Sequence, residues 1–458
     1  MKRDFSLLFI LLGLIALVIG VLFGLLISMV YIFPGFFKDI VPFNQLRPMH
    51  TSFVISWIIL TAIGGIYYYI QHEEKLQLFS RELAKWHFAI YFAVALIIPF
   101  SLLTNKMGGR EYLEFTPVLI LPILMGWVFF GINYYKTLFK SVKNWPAYYW
   151  MWGIGIAFMI FHLSESNFWM FDSFRKDFIK DISVQWKSYG SFVGSWNMLV
   201  YGTALYLMSK IKDDVKIARG RTTFFFMFLG LTNLMFGWAH HTYIIPTQPW
   251  IRYVAYAISM TEWIIFIKIV WSWRKSLSKS DKTTNSMAYR FILASDFWVF
   301  VNLVMALFMS IPSVNYYTHG THITVAHSMG TTIGINTMIL FASVSFILSR
   351  SKASCKNNQV FQKFSFYFLN GSLFIFWLML IVLGLLKIDA GNAAAGSTSL
   401  LESQAIYYIV FVFTGLLLFI SILLIAIPMI YRLEPICTTL LYPKTIQDEI
   451  DFIEEAEN

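Results

Sequence analysis

Two uncharged runs, Phe5–Ile32 and Ala405–Ile430, are each longer than the about 20 residues a helix needs to cross the hydrocarbon of a bilayer. Inside hydrocarbon no water is available to backbone amides, so each run must close its own hydrogen bonds as a helix. Further runs of this kind fill the chain between them. They predict spans at 5–32, 51–71, 87–104, 115–135, 147–166, 188–209, 222–245, 251–273, 290–312, 321–349, 364–386 and 404–431. Charged residues make up 13% of the sequence, about half the share in a soluble domain. The expectation is an all-α membrane protein of about twelve transmembrane helices. The first run is too long for a signal-peptide core, and no small-residue cleavage site follows it, so it reads as a retained span.

The net charge of +10 is unevenly placed. With the N-terminus on the cytoplasmic side, Lys and Arg concentrate in the cytoplasmic loops. Lys210, Lys212, Lys216, Arg219 and Arg221 form one cluster, and Arg274, Lys275, Lys279 and Lys282 form another. This is the bias that orients a multi-pass protein, with membrane lipid and not nucleic acid as its partner. It predicts residence in a bacterial inner membrane. Cys355 and Cys437 both fall on the cytoplasmic side, where a structural disulfide is not expected. No Cys-x-x-Cys-His motif is present, so this chain attaches no haem c covalently.

The organisation predicted is one helical bundle over residues 1–440 and a short acidic cytoplasmic tail over 441–458. The longest external loop runs from about Asn167 to Lys187, and Asp389–Ser399, rich in Gly, Ala and Ser, reads as a flexible connection. No repeat suggests an inverted-repeat transporter.

Polar groups at membrane depth are costly and mark function. Seven of the nine histidines lie in or beside predicted helices: His50, His162, His240, His241, His319, His322 and His327. A single one reads best as a hydrogen-bonded core residue. Seven together, two of them adjacent, point to haem iron or a transition metal, for which neutral imidazole is the commonest ligand. His50 opens the second predicted helix, and Arg47 three residues earlier suits a carboxylate such as a haem propionate. Glu262 lies mid-helix in Ser259-Met260-Thr261-Glu262-Trp263. It reads either as a neutral carboxyl bonded to a neighbour or as a proton-handling group beside a redox centre.

Pro42-Phe43-Asn44-x-x-Arg47-x-x-His50-Thr51 resembles the second helix of the large subunit of cytochrome c-dependent nitric oxide reductases, in the haem-copper oxidase superfamily. Gly109-Arg110-Glu111-Tyr112-Leu113-Glu114, the pair His240–His241, Glu262, and Val314–Thr321 with His319 resemble the same family, and the likeness runs from the first helix to the last. The resemblance implies a haem-copper oxidase-like bundle with two b haems, one low-spin and one high-spin, and a non-haem iron or copper. It implies a calcium ion beside the haem propionates, which Glu111 helps to hold. It carries His50 onto the low-spin haem, His327 onto the high-spin haem, His240 and His241 onto the non-haem metal, and Glu262 onto a carboxyl near that metal. Arg47 and His319 go with the cofactor-binding set.

Three positions depart from the family pattern. Met329 stands where a second haem-ligating histidine is expected. A thioether can ligate haem iron and raises its potential relative to a second imidazole; packing is the other reading. Tyr189 and Val193 stand where the sixth helix of the family supplies a histidine and a glutamate to the metal. Tyrosinate can bind ferric iron and valine cannot bind metal at all. His162 is the other nearby imidazole. The leading expectation is an oxidoreductase that reduces NO to N2O with electrons from a cytochrome c-bearing small subunit, with Glu262 and Tyr189 at the catalytic site. Reduction of O2, dismutation of NO, and a non-catalytic haem b subunit stay open beside it.

Overall fold

Because no amide in the hydrocarbon can be left unpaired, the long apolar runs close into helices and leave almost no other regular structure. The computed structural model describes residues 5–238, 248–350, 359–392 and 398–441. Among them nine helical segments are long and apolar enough to cross a membrane. They are α1 (Phe5–Met29), α2 (Phe43–Tyr68, extended by a π turn Tyr69–Glu73), α3 (Arg81–Leu103), α4 (Ile120–Leu138), α8 (Pro249–Ser276), α9 (Ser286–Met309), α10 (His322–Arg350), α11 (Gln359–Asn392) and α12 (Thr398–Leu441). Three more, α5 (Ala147–Glu165), α6 (Phe178–Lys212) and α7 (Arg221–Phe236), sit between them in the bundle and complete the expected twelve. The acidic tail beyond Leu441, Cys355 and the pair His240–His241 lie outside the described residues.

Several helix ends differ from the expectation, because hydropathy marks where hydrocarbon begins and not where a helix does. Helix α2 starts at Phe43 after an extended Pro42, so His50 lies two turns inside it and does not open it. Helix α6 starts at Phe178, where Asp177 caps the amides of Ile179 and Lys180 at 3.1 Å. The external loop expected from Asn167 to Lys187 is thereby half helix. The stretch 389–392, expected as a flexible connection, continues α11.

The tenth predicted span, 321–349, is matched by α10, but the Val314–Thr321 motif that leads into it is broken. A short helix, Pro312–Thr318, ends at an extended His319, and α10 begins only at His322. Gly320 turns the chain between them at φ 72°, a conformation that favours glycine. Inside α10, residues Gly330–Thr337 widen into π-helix. On this stretch Gly330 and Gly334 let α9 approach closely. A Cβ at 330 would lie 2.3 Å from Asn302 Oδ1, and one at 334 would lie 2.5 Å from the Trp298 indole. Small residues four apart are the usual device for close helix contact in membranes.

The basic clusters gather at one end of the bundle. There Lys210 pairs with Glu74 at 2.9 Å, and the Tyr206 hydroxyl donates to the same carboxylate at 3.0 Å. The ring of Tyr69 lies tilted against Tyr206 with the centroids 4.4 Å apart, and its hydroxyl lies 2.6 Å from Ser343 Oγ. The opposite end carries the loop between α3 and α4, pinned by an isolated bridge between Met107 and Phe115.

Candidate functional site

That pinned loop presents two carboxylates to one guanidinium. Tyr112 takes a left-handed φ of 68°, and Gly109 lies so close to the Leu113 carbonyl that no side chain fits there. The tight turn brings Glu111 within 2.7 Å and Glu114 within 3.5 Å of Arg47 on α2. Burial pushes the Glu114 carboxyl above its usual range, and Arg47 pulls it partly back. Its second oxygen is buried without a hydrogen-bond partner. Beside this group Arg110 holds Asp181 at 2.6 Å. Calcium takes six to eight oxygens (about seven on average), so Glu111 and Glu114 supply only part of such a shell.

One turn inward from Arg47, His50 donates from Nδ1 to the Gly20 carbonyl of α1 at 2.7 Å. A carbonyl can only accept, so the proton is on Nδ1 and the Nε2 lone pair is left for a metal; fixing a ligating imidazole in this way is a common outer-shell device. Gly24, one turn along α1, makes room for the ring: a Cβ there would lie 2.9 Å from His50 Cε1. Helices α2 and α10 are joined where the Trp57 indole donates to Thr337 Oγ1 at 3.0 Å. His50 is seven residues back from that joint and Met329 is eight, so both lie about 10–12 Å from it along their helices. They stand at one level on helices that run the same way. His327, two residues before Met329, projects to a different side, where its ring lies 6.0 Å from the indole of Trp263 on α8.

Glu262, adjacent to Trp263, is 3% exposed. It accepts from Asn233 Nδ2 of α7 at 2.7 Å, and the Ser259 hydroxyl donates to the other end of that carboxamide at 3.0 Å. Gly237 gives Asn233 its place, since a Cβ there would lie 1.8 Å from Asn233 Oδ1. Gly230 likewise clears space for Met198 and for Glu262 Oε1. Asn233 therefore ties the buried carboxyl to the last described turn of α7, just before His240 and His241. Sequence reasoning assigns no role to Asn233, although a carboxamide within an apolar span is itself a signal. Asn336 carries the same signal. It is fully buried, and neither end of its carboxamide has a hydrogen-bond partner.

The remaining candidates are spread out. Tyr189 is buried on α6 with its ring 6.1 Å from Tyr112, on the side of the Arg47 loop. The face of α6 that meets the end of α7 is made by Gly190 and Gly194, which pack against Trp238 and Leu234. Val193 is partly buried against the core. His162 is 2% exposed, lies 3.4 Å from Glu165, and through it reaches Lys187. His319 lies outside α10, 5.9 Å from the Trp186 ring. Among the described residues no three His, Cys, Asp or Glu side chains converge on one point as a metal site.

Comparison with known proteins bears on the family and the fold. The sequence profile of the family described as Cytochrome C and Quinol oxidase polypeptide I matches residues 4–418. The chain is 24% identical over 426 residues to a nitric oxide reductase subunit of Stutzerimonas stutzeri, covering 86% of this chain and 88% of that protein. It is 24% identical over 353 residues to cytochrome c oxidase subunit 1 of Rhodobacter capsulatus, covering 73% and 65%. It is 21% identical over 365 residues to a cbb3-type cytochrome c oxidase subunit of Stutzerimonas stutzeri, covering 76% and 75%. Its fold matches a chain of a haem-copper terminal oxidase dimer with a TM-score of 0.72 at 15% identity, over 96% of this chain and 85% of that one. An all-helical bundle with these membrane-spanning helices and this family match defines a multi-pass haem-copper oxidase-like membrane protein. The chain belongs to the cytochrome c and quinol oxidase polypeptide I family, the catalytic subunits of the haem-copper oxidase superfamily.

Proposed function

We propose that this chain is the catalytic subunit of a nitric oxide reductase-type enzyme, in which two NO, two electrons and two protons give N2O and water. The observation that carries this reading is the placement of Glu262. It is a buried carboxyl hydrogen-bonded to Asn233 on the helix that leads into His240 and His241, and its neighbour Trp263 touches His327. The haems would supply gas binding at iron and electron transfer. His50 and Met329 would hold the low-spin haem, and His327 the high-spin one. Arg47 would face propionates, with Glu111 at a calcium ion beside them. Glu262 would hold and release a proton at its carboxylate, and Asn233 would orient it. Tyr189 would border the site from the Tyr112 side. Electrons would arrive from a cytochrome c-bearing partner. The long match to a nitric oxide reductase chain supports this choice.

A second reading, O2 reduction or NO dismutation at an altered centre, is favoured by Tyr189 and Val193. Neither supplies the imidazole and carboxylate that the reductase pattern places on α6. The deciding experiment combines anaerobic NO and O2 turnover of the purified protein with iron and copper counts per b haem. NO consumption with N2O release and one metal beyond the two haems is the expected result. O2 turnover without N2O would overturn the reductase reading in favour of the second. Two haems with neither activity would leave only a haem b electron-transfer role.

A further inference from the structure

Two ionisable side chains stand at mid-membrane depth on the outer side of α8 and α9, and the proposed reaction uses neither. Asp296 lies ten residues inside the first residue of α9, about 15 Å from the basic edge of the bundle. It is half-buried, and its Oδ1 is buried without a hydrogen-bond partner. Lys268 is exposed on α8, and among the described residues its ammonium has no ion pair or hydrogen bond.

Two contacts set the register of these antiparallel helices. The Trp273 ring lies 5.8 Å from Tyr289, and Met260 packs with Leu303 and Ala306. Lys268 is therefore level with residues 294–295, within about 3 Å of the depth of Asp296. Asp296 is two turns from both Tyr289 and Leu303, so it points along the α8–α9 seam. Lys268 follows Ile267, which packs toward that seam, and so points about 100° away from it. No ion pair joins the two within the chain. Their exposed neighbours Ile264, Trp271, Phe297 and Phe300 are apolar, and lipid satisfies them. Lipid cannot satisfy an ionisable pair at this depth. The basic edge is too far for the four-carbon stem of Lys268 to reach. Arg274 acts on Asp296 only from two turns nearer that edge, and Arg290 is taken by the Tyr367 hydroxyl at 2.9 Å.

In hydrocarbon only another membrane-spanning segment brings polar partners, and these two groups complement each other. A second copy, inserted in the same orientation and related by a two-fold axis along the membrane normal, keeps both depths unchanged. It brings Lys268 of each copy to Asp296 of the other. We propose that the α8–α9 face is a contact between two copies of this chain, closed by two reciprocal Lys268–Asp296 ion pairs.

The test places the full-length, haem-loaded protein in dilute liposomes and reads energy transfer between donor-labelled and acceptor-labelled copies. Wild type should pair. Lys268→Asp and Asp296→Lys should each weaken pairing about a hundredfold, roughly tenfold for each of two lost contacts. Mixed together, the two variants should pair again, because each supplies the charge the other lacks. An ion pair within one chain cannot give that rescue. Lys268→Met removes the charge and keeps the approximate volume, and it should weaken pairing in the same direction with an unchanged haem spectrum. Absence of energy transfer in wild type would overturn the proposal. So would a mixture of the two charge-reversed variants that carries haem and stays apart. Where those variants fail to load haem, Lys268→Met decides, and undiminished pairing there would overturn the proposal.

Discussion

Asn233 donates to Glu262 at 2.7 Å across the α7–α8 interface, and its other end accepts from Ser259. A buried carboxyl is held by few groups, so each matters. Asn233→Leu removes the donor and keeps the approximate volume. Gas turnover should fall about tenfold or more, since a hydrogen bond to a charged group is worth about 1.5–3 kcal/mol. The haem spectrum should not change, because Asn233 is not a proposed haem ligand. Full turnover in Asn233→Leu, or in Glu262→Gln, would refute the proton-handling role.

The low-spin site makes a spectroscopic prediction. If His50 and Met329 ligate one iron, Met329→Leu should convert that haem to a high-spin spectrum. Met329→His should keep it low-spin and lower its potential, because thioether ligation raises the potential relative to a second imidazole. Gly24→Val, with a Cβ only 2.9 Å from the His50 ring, should displace the imidazole and weaken the same signal without touching either ligand. An unchanged spectrum in Met329→Leu would leave Met329 as a packing residue.

Much of this was legible in the sequence, and the reasons are physical. Spans such as Phe5–Met29 announce themselves because hydrocarbon tolerates only apolar helices. Glu262 and the histidines stand out because polar groups in such runs are rare. Helix ends were harder to read. Hydropathy falls off at the interface while the helix continues, as at Phe43 and Phe178, and one glycine, Gly320, splits a motif that reads as continuous. Which way a side chain points was not legible at all. Tyr189 aligns with a metal-ligand position, yet its ring lies against Tyr112, because Gly190 and Gly194 are what α6 presents to α7.

Glu114 gives a pH dependence. Burial raises its carboxyl above the usual range, so the folded protein holds that proton more tightly than the unfolded chain does. The stability this group contributes is complete below the ordinary carboxylate range and is lost as pH rises through its folded titration. Glu114→Gln cannot lose a proton. It should therefore melt above wild type at about pH 8, and the difference should shrink on the acid side. Thermal unfolding followed by tryptophan fluorescence at the two pH values checks this, and a constant offset would show that Arg47 cancels the burial effect.

Close approach of α9 to α10 depends on Gly334, whose missing side chain is replaced by the Trp298 indole. The indole is fully buried and cannot swing away into lipid. Gly334→Leu must therefore separate the helices or distort the π-helical stretch, and overpacking of this kind costs about 1–3 kcal/mol. His327 and Met329 lie on the same helix only five to seven residues away, so the disturbance should reach both proposed haem positions. Loss of thermal stability with broadened signals from both haems is the expected outcome. A stability loss with two sharp, unshifted haem spectra would mean that neither ligand position depends on the α9–α10 contact, and that the π-helical segment absorbs the strain locally.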